Sequence, residues 1–295
     1  MNPASTSHAT LQGLLRHARQ RLEAAEVDAP RLSAEIILCH ALSLRRIDIM
    51  LTPDRIVEEA DCILFSELVA RRATGEPLAY IVGEKEFFGR DFAVNPSTLI
   101  PRPETEHLIE TALESLRPGP ARFVDAGTGS GCIAVTLCAE RADLSGLALD
   151  MSAPALATAS HNARRHGVAQ RLAFVRGDFT TSLLRSGSLD LYASNPPYIS
   201  EAEYTGLSRE VRDFEPRSAL VPGVTGLEHA AAIIAEATRV LRPHGILLME
   251  FGCMQGADMA SLFTPYSTLW EMVEVRRDLA GLDRFIFARR NLLQP

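Results

Sequence analysis

Lysine is all but missing from this chain: Lys85 stands alone against 29 arginines among the 30 basic residues. A P-loop or a lysine Schiff base would have to use that residue, and its surroundings, GEKEFFG, fit neither chemistry. Cysteine is sparse and unpaired. Cys39, Cys62, Cys132, Cys138 and Cys253 are scattered with no CxxC among them, which argues against a disulfide framework or a zinc site and suits a reducing cytosol. Long apolar runs are missing too, and stretches such as 245–251 are far too short to span a bilayer. The opening MNPASTSHATLQ has no basic segment leading into an apolar one, so no signal peptide is expected. HExxH, internal repeats and low-complexity segments are also lacking. The net charge of −7 speaks against nucleic acid as the main partner.

What is present is ordinary globular sequence, 46% apolar and 23% charged, with room in 295 residues for two domains. Residues 8–74 read as helical. Leu11, Leu14, Leu15, Ala18 and Leu22 recur at helical spacing. A second helix is expected after Asp28 as its cap, with Pro30 in the first turn and an apolar stripe of Leu32, Ile36 and Ile37. A third carries Ala60, Ile63, Leu64 and Leu68 and stops before Gly75. Residues 1–75 hold nine arginines and ten acids, so no basic stripe is there to grip phosphates. That region reads as a small helical bundle (1–75) that docks or positions a partner.

Residues 76–102 form a β-hairpin linker around Gly89, in EFFGRDFAVN, followed by a sharp turn at LIPRPETEHL. Pro103 suits the start of a helix reaching about Leu116, which PGP at 118–120 ends. From Arg122 strand and helix patterns alternate. RFVDAG, LSGLALD, LAFVRGD, LDLYASN and GILLMEFG are strands, with helices such as Cys132–Arg141 and Pro154–His166 between them. The tail, LWEMVEVRRDLAGLDRFIFARR, adds an antiparallel pair. The whole predicts an α/β domain over 103–295 with a seven-stranded mixed sheet.

Two strand ends carry chemistry. The first runs into Asp125-Ala-Gly127-Thr128-Gly129-Ser130-Gly131. Glycines there let the backbone turn tightly and approach a ligand, and the following helix N-terminus offers N–H groups. The spacing is G-x-G-x-G, not the dinucleotide G-x-G-x-x-G, because Cys132 takes the last glycine's place. Thr128 and Cys132 also rule out a G-x-S-x-G nucleophile elbow. Asp150, 19 residues past Gly131, ends the next strand, where a carboxylate can accept both hydroxyl hydrogens of a ribose. Asp178, read as ending the third strand, can meet an exocyclic adenine amine, with Phe179 stacking on the ring.

The fourth strand ends in Ser194-Asn195-Pro196-Pro197-Tyr198. Two prolines stiffen the loop by fixing φ. An amide nitrogen is a poor nucleophile because its lone pair is delocalised into the carbonyl. To attack a sulfonium methyl it must be held in line with its N–H groups directed away. The Asn195 side-chain oxygen and the Pro196 backbone oxygen can take those two N–H groups, and Tyr198 can lie flat against the amide plane. Catalysis would then be positioning and electrostatics, without a strong base. Structural readings suit the remaining candidates. His161 and His166 read as helix surface, and Cys132 and Cys138 as core or half-core. Arg102, Glu104 and Glu106 either line an entrance or decorate a helix start.

The order DAGTGSG, LALD, GDF, SNPPY resembles the class I methyltransferases that modify amino groups on planar systems. GEPLAYIVGEKEFFG, LIPRPETEHL, FEPRSAL and RDLAGLDRFIFARR are similar to the release-factor glutamine methyltransferases (the HemK/PrmC family), and DAPRLSAEIILCHAL to that family's helical N-terminal domain. The resemblance implies a Rossmann-like fold, S-adenosyl-L-methionine as cofactor, and N5-methylation of the glutamine in the Gly-Gly-Gln loop of peptide chain release factors in the cytoplasm. It implies that Gly127, Thr128, Gly129, Ser130, Gly131, Asp150, Phe179 and Asn195 bind cofactor, to which the strand-end reading adds Asp178. Asn195, Pro196, Pro197 and Tyr198 would hold the glutamine, with Asn195 and Pro196 catalytic. Phe179 stands where some relatives have tryptophan. Other readings stay open: an adenine N6-methyltransferase of nucleic acid, which would carry a basic groove and a pocket for a flipped base; a ribosomal-protein glutamine methyltransferase, which shares NPPY; and a non-catalytic binding module.

Overall fold

The computed structural model describes residues 9–292, so the expectation for the first eight residues lies outside the described residues. The chain folds as two units: residues 9–83 together with Arg209–Phe214, and residues 84–208 together with 215–292.

The first unit is helical: α1 (Leu11–Ala24), α2 (Pro30–Leu42), α3 (Arg46–Leu51), α4 (Glu59–Ala73) and α5 (Leu78–Val82). Thr10 caps α1 through its hydroxyl, which accepts from Gly13 N–H at 3.2 Å. The short α3 and α5 were not expected from apolar spacing, which is weak over one or two turns. Two further expectations are corrected. The residue at the N-terminal boundary of α2 is Ala29 in a left-handed conformation (φ 46°), so Asp28 is not the cap. The buried faces of α2 and α4 are also rotated from those read in the sequence, whereas α1 buries Leu11, Ala18 and Leu22 as expected. Leu32, Ile63 and Leu64 are exposed, whereas Ala34, Ile37 and Leu38 of α2 meet Phe65, Leu68 and Val69 of α4. Each helix carries more apolar residues than one stripe needs, and packing against the neighbouring helix selects the stripe. Arg72, buried at the end of α4, donates to Glu76 O at 2.7 Å and to Glu210 Oε2 at 2.9 Å.

The second unit begins with the hairpin β1 (Glu84–Phe87) and β2 (Arg90–Ala93), which turns through Phe88 and Gly89 at φ 52° and 69°. Then come α6 (Glu104–Ser115), β3 (Ala121–Ala126), α7 (Cys132–Glu140), β4 (Leu144–Asp150), α8 (Ala153–Arg165), β5 (Leu172–Arg176) and β6 (Leu189–Ser194). The short α9 (Glu201–Tyr204) and α10 (Arg209–Phe214, the segment grouped with the bundle) follow. The chain ends with α11 (Glu228–Val240), β7 (Leu241–Glu250), α12 (Gly256–Ser261), β8 (Trp270–Arg277) and β9 (Asp283–Arg290). The strand order is β5-β4-β3-β6-β7-β9-β8, with β5 to β7 parallel and the last two antiparallel, a seven-stranded mixed sheet as expected.

Both faces of the sheet are covered. Phe123, Leu191, Ala193, Ile246 and Leu248 pack with α6 and α7. Their neighbours in sequence, Val124, Tyr192, Leu247 and Met249, pack with α11 on the other side. Burial on both faces is why these strands read as continuous apolar runs. β4 and β6 flank β3 on opposite sides, so the strand order reverses there and a crevice opens at the carboxyl ends. The register aligns Ala126 with Leu149 and with Ser194, so the two loops singled out in the sequence leave the sheet side by side.

Candidate active site

The glycine loop leaves β3 with Gly127, Gly129 and Gly131 at φ 75°, 55° and 81°, values that L side chains rarely adopt. At Gly131 space is limiting as well: a Cβ there would lie 3.0 Å from Ala159 Cβ, so this glycine also lets α7 approach α8. Asp125, fully buried beneath the loop, accepts from Thr128 Oγ1 at 2.6 Å and from Ala134 N–H at 3.1 Å. Burial pushes its carboxyl up to about 7 against the pull of those two donors. Asn162 of α8 was missed in the sequence because nothing local marks it. It donates to Ser130 O (2.8 Å) and Ala93 O (3.0 Å) and accepts from Ala93 N–H (2.8 Å), tying the loop to the hairpin.

Above the loop lies a cavity of about 440 Å³ lined by Gly127 to Ser130, Asp150, Phe179, Asn195 and Pro197. The Asp150 carboxylate is aimed by two backbone donors, Gly129 N–H at 2.9 Å and Ser152 N–H at 2.8 Å. Phe179 presents a buried ring with His229 edge-on at 5.1 Å. His229 also lines the cavity and lay outside any pattern the sequence offered; burial lowers its pKa. Gly131, Asp178, Pro196 and Tyr198 do not themselves line the cavity. Asp178 lies two residues past the end of β5 at Arg176, a correction to the strand limit, and its Oδ1 accepts from Thr180 N–H and Oγ1 at 2.8 and 2.6 Å.

The loop after β6 is held from several sides. Ser194 Oγ donates to Ala126 O at 2.7 Å, binding the two loops at their roots. Pro196 and Pro197 are buried, and Tyr198 O accepts from Gln255 Nε2 at 2.9 Å. The Tyr198 hydroxyl donates to Glu250 Oε1 at 3.3 Å, and burial raises its pKa. Arg102 and Glu106, ambiguous in the sequence, have definite partners. Arg102 pairs with buried Glu215, which also accepts from Ile100 N–H at 3.1 Å, and Glu106 Oε1 accepts from Phe88 N–H at 3.0 Å. The FEPRSAL stretch supplies that Glu215 and, through Pro216, Ser218 and Ala219, a wall of the cavity. Cys132 lines it too, and burial with the Asp125 charge pushes its thiol up to about 12, which disfavours the thiolate. His166 departs from a plain surface role: its ring lies 5.1 Å from Phe92 and Nε2 is 3.0 Å from Asp91 O. Among the described residues no cluster could hold a metal ion, and no helix is long and apolar enough to cross a membrane.

A family model described as the PrmC N-terminal domain matches residues 13–83, and one described as a methyltransferase domain matches residues 120–282. A release factor glutamine methyltransferase of Nitratidesulfovibrio vulgaris is 99% identical over the whole of both chains. Another, of Cereibacter sphaeroides, is 44% identical over 93% of this chain and 96% of its own. The chain belongs to the release factor glutamine methyltransferase family. Solved structures bear on the fold alone. The hMettl16 catalytic domain, in complex with the MAT2A 3'UTR hairpin 6, matches with a TM-score of 0.57 at 19% identity, over 77% of this chain and 83% of that one. A methyltransferase from Pyrococcus furiosus matches at 0.50 and 18%, over 77% and 100%. Both support the class I methyltransferase fold. The methyl donor of this class is S-adenosylmethionine, and the residues present fit it: an aimed carboxylate, a buried aromatic face and a glycine backbone share one cavity.

Proposed function

We propose that this enzyme transfers a methyl group from S-adenosylmethionine to the side-chain amide nitrogen (N5) of the glutamine in the Gly-Gly-Gln loop of a peptide chain release factor, in the cytoplasm. The observation that carries the reading is that Asn195 and Pro197 line the same cavity as Gly127 to Ser130 and Asp150. The Asn195 carboxamide and a cradle for an adenosyl ligand therefore open into one space, with Pro196 directly beside Asn195 in the chain. The names of full-length relatives support the substrate. The helical unit is assigned to positioning the protein substrate, and the second unit, with its hairpin, to the transfer chemistry.

In this reading Asp150 receives the ribose hydroxyls, Phe179 covers the adenine and the loop from Gly127 to Gly131 passes against the donor. Asp178 helps from outside the cavity by shaping the turn before Phe179. The donor supplies an electrophilic methyl on a sulfonium. Asn195 Oδ1 and Pro196 O accept the two amide N–H groups, and Tyr198 and Pro197 hold the amide plane. That fixes the nitrogen in line with the methyl. As the N–C bond forms, the S–C bond breaks, its electron pair stays on sulfur, and one amide proton leaves to solvent. No base is needed. Neither nucleic acid nor a membrane is assigned as a partner.

The test is incubation with methyl-labelled donor and either a release factor or DNA and RNA, followed by peptide mapping. Label on the glutamine of the Gly-Gly-Gln loop is expected. Label in nucleic acid alone would overturn the reading.

A further inference from the structure

Asn195 can serve as an acceptor only if its oxygen, not its NH2, faces the reacting amide. A carboxamide is nearly symmetric in shape, so something must break the tie. The geometry points to Thr105 of α6, anchored by Glu250 at the end of β7, as the positioning pair that sets which end of the Asn195 amide faces the substrate. This rests on the proposed role of Asn195 as acceptor and adds what enforces it.

The argument is one of hydrogen count. Thr105 has a single hydroxyl proton and is buried, with 1% of its surface exposed. Its Oγ1 lies 2.7 Å from Glu250 Oε2, inside a pocket where Glu250 is 2% exposed. Once ionised, above about pH 7, Glu250 only accepts, so the Thr105 proton then goes to Glu250. The Thr105 oxygen is then left as an acceptor, and the group 3.1 Å from it on Asn195 must donate. Asn195 therefore commits its Nδ2 to Thr105 and turns Oδ1 the other way. The reversed amide would bring two oxygens together with no proton between them, leaving buried acceptors unpaired. Such a defect strongly disfavours the reversed orientation. Glu250 Oε1 meanwhile receives the Tyr198 hydroxyl at 3.3 Å, so one carboxylate steadies both ends of the Asn195–Tyr198 loop.

Neither residue has to touch the donor or the glutamine for this to work. A purely space-filling Thr105 would be replaced without consequence by valine, which has almost the same shape; a polarity-setting one would not.

The experiment compares Thr105→Val and Thr105→Ser in the full chain at pH 8, where Glu250 is ionised. Thr105→Val should lower kcat about 100-fold, with little change in KM for the release factor or in donor affinity, and Thr105→Ser should recover most of the loss. A second readout needs no turnover. In the ligand-free protein labelled with 15N, one Asn195 side-chain N–H, assigned by its loss in Asn195→Asp, should be protected from solvent exchange. That protection should vanish in Thr105→Val and persist in Thr105→Ser. Wild-type-like kcat in Thr105→Val, or an unprotected Asn195 amide in the unsubstituted protein, overturns the assignment. Failure of the unsubstituted enzyme to methylate any release factor would instead strike the proposed function, and the exchange result would still stand or fall alone.

Discussion

The two loops that leave the sheet at Ala126 and Ser194 are neighbours in space and opposites in design. The first is nearly bare of side chains, bends through three left-handed glycines and presents backbone. The second is stiff and dressed: two prolines fix its path, Thr105 holds the Asn195 carboxamide, Glu250 the Tyr198 phenol and Gln255 the Tyr198 carbonyl. A ligand that must be gripped along its length calls for close backbone approach. A group that must be turned to one orientation calls for fixed acceptors. Damage to the first loop should therefore appear in donor affinity, and damage to the second in kcat.

The sharpest way to break that contrast is Asn195→Ala. Its kcat should fall about 100- to 1,000-fold, as when one preorganised hydrogen-bonding group is lost, while isothermal titration still detects donor binding. Equal losses in both measurements would merge the two loops into one functional unit. Asp150→Asn comes next. Replacing a charged acceptor weakens donor binding by about 1.5–3 kcal/mol, or about 10- to 100-fold, and kcat at saturating donor should change far less. Within the glycine loop, Gly131→Ala adds crowding against Ala159 to its φ of 81°, whereas a Cβ at Gly129 meets nothing within 4 Å. A left-handed alanine costs about 1–2 kcal/mol. Gly131→Ala should thus exceed that cost in thermal denaturation, and Gly129→Ala should not.

How much of this was legible in the sequence follows the same divide. The glycine and diproline loops were readable because each needs unusual residues at consecutive positions, which no other constraint demands. Asp150 was readable because a strand end is a fixed distance from the loop before it. Thr105 and Glu250 were not readable as a pair with Asn195. Thr105 lies 90 residues before Asn195 and 145 before Glu250, and a threonine in a helix start has a local explanation of its own. Glu250 sits at the end of an apolar strand where only the fold reveals that it is buried. In the bundle, periodicity gave helices and the inner face of α1 but misplaced part of those of α2 and α4, since Ile63 and Leu64 are as apolar as Phe65 and Val69 beside them. Local chemistry is written locally; packing partners are not.

The smallest expected effect tests the buried anchor of the second loop through pH. Burial raises Glu250 from 4.5 to about 7, against the pull of Thr105, Arg284 and Tyr198, while the Glu104 charge adds to the rise. The folded chain therefore holds a proton there that the unfolded chain has released between about pH 4.5 and 7. A state that binds the extra proton is favoured when protons are plentiful, so this group contributes stability at the acid end and withdraws it as pH rises through 7. Glu250→Gln cannot titrate and keeps one constant contribution. The melting temperature of Glu250→Gln minus that of the unsubstituted protein should accordingly rise from pH 5 to pH 8. Asp125→Asn should shift in the same direction, because Asp125 is also raised, from 3.8 to about 7. A difference that is flat, or that falls with pH, would mean that Glu250 is ionised in the fold across this range, held so by Arg284 and its two hydroxyl donors.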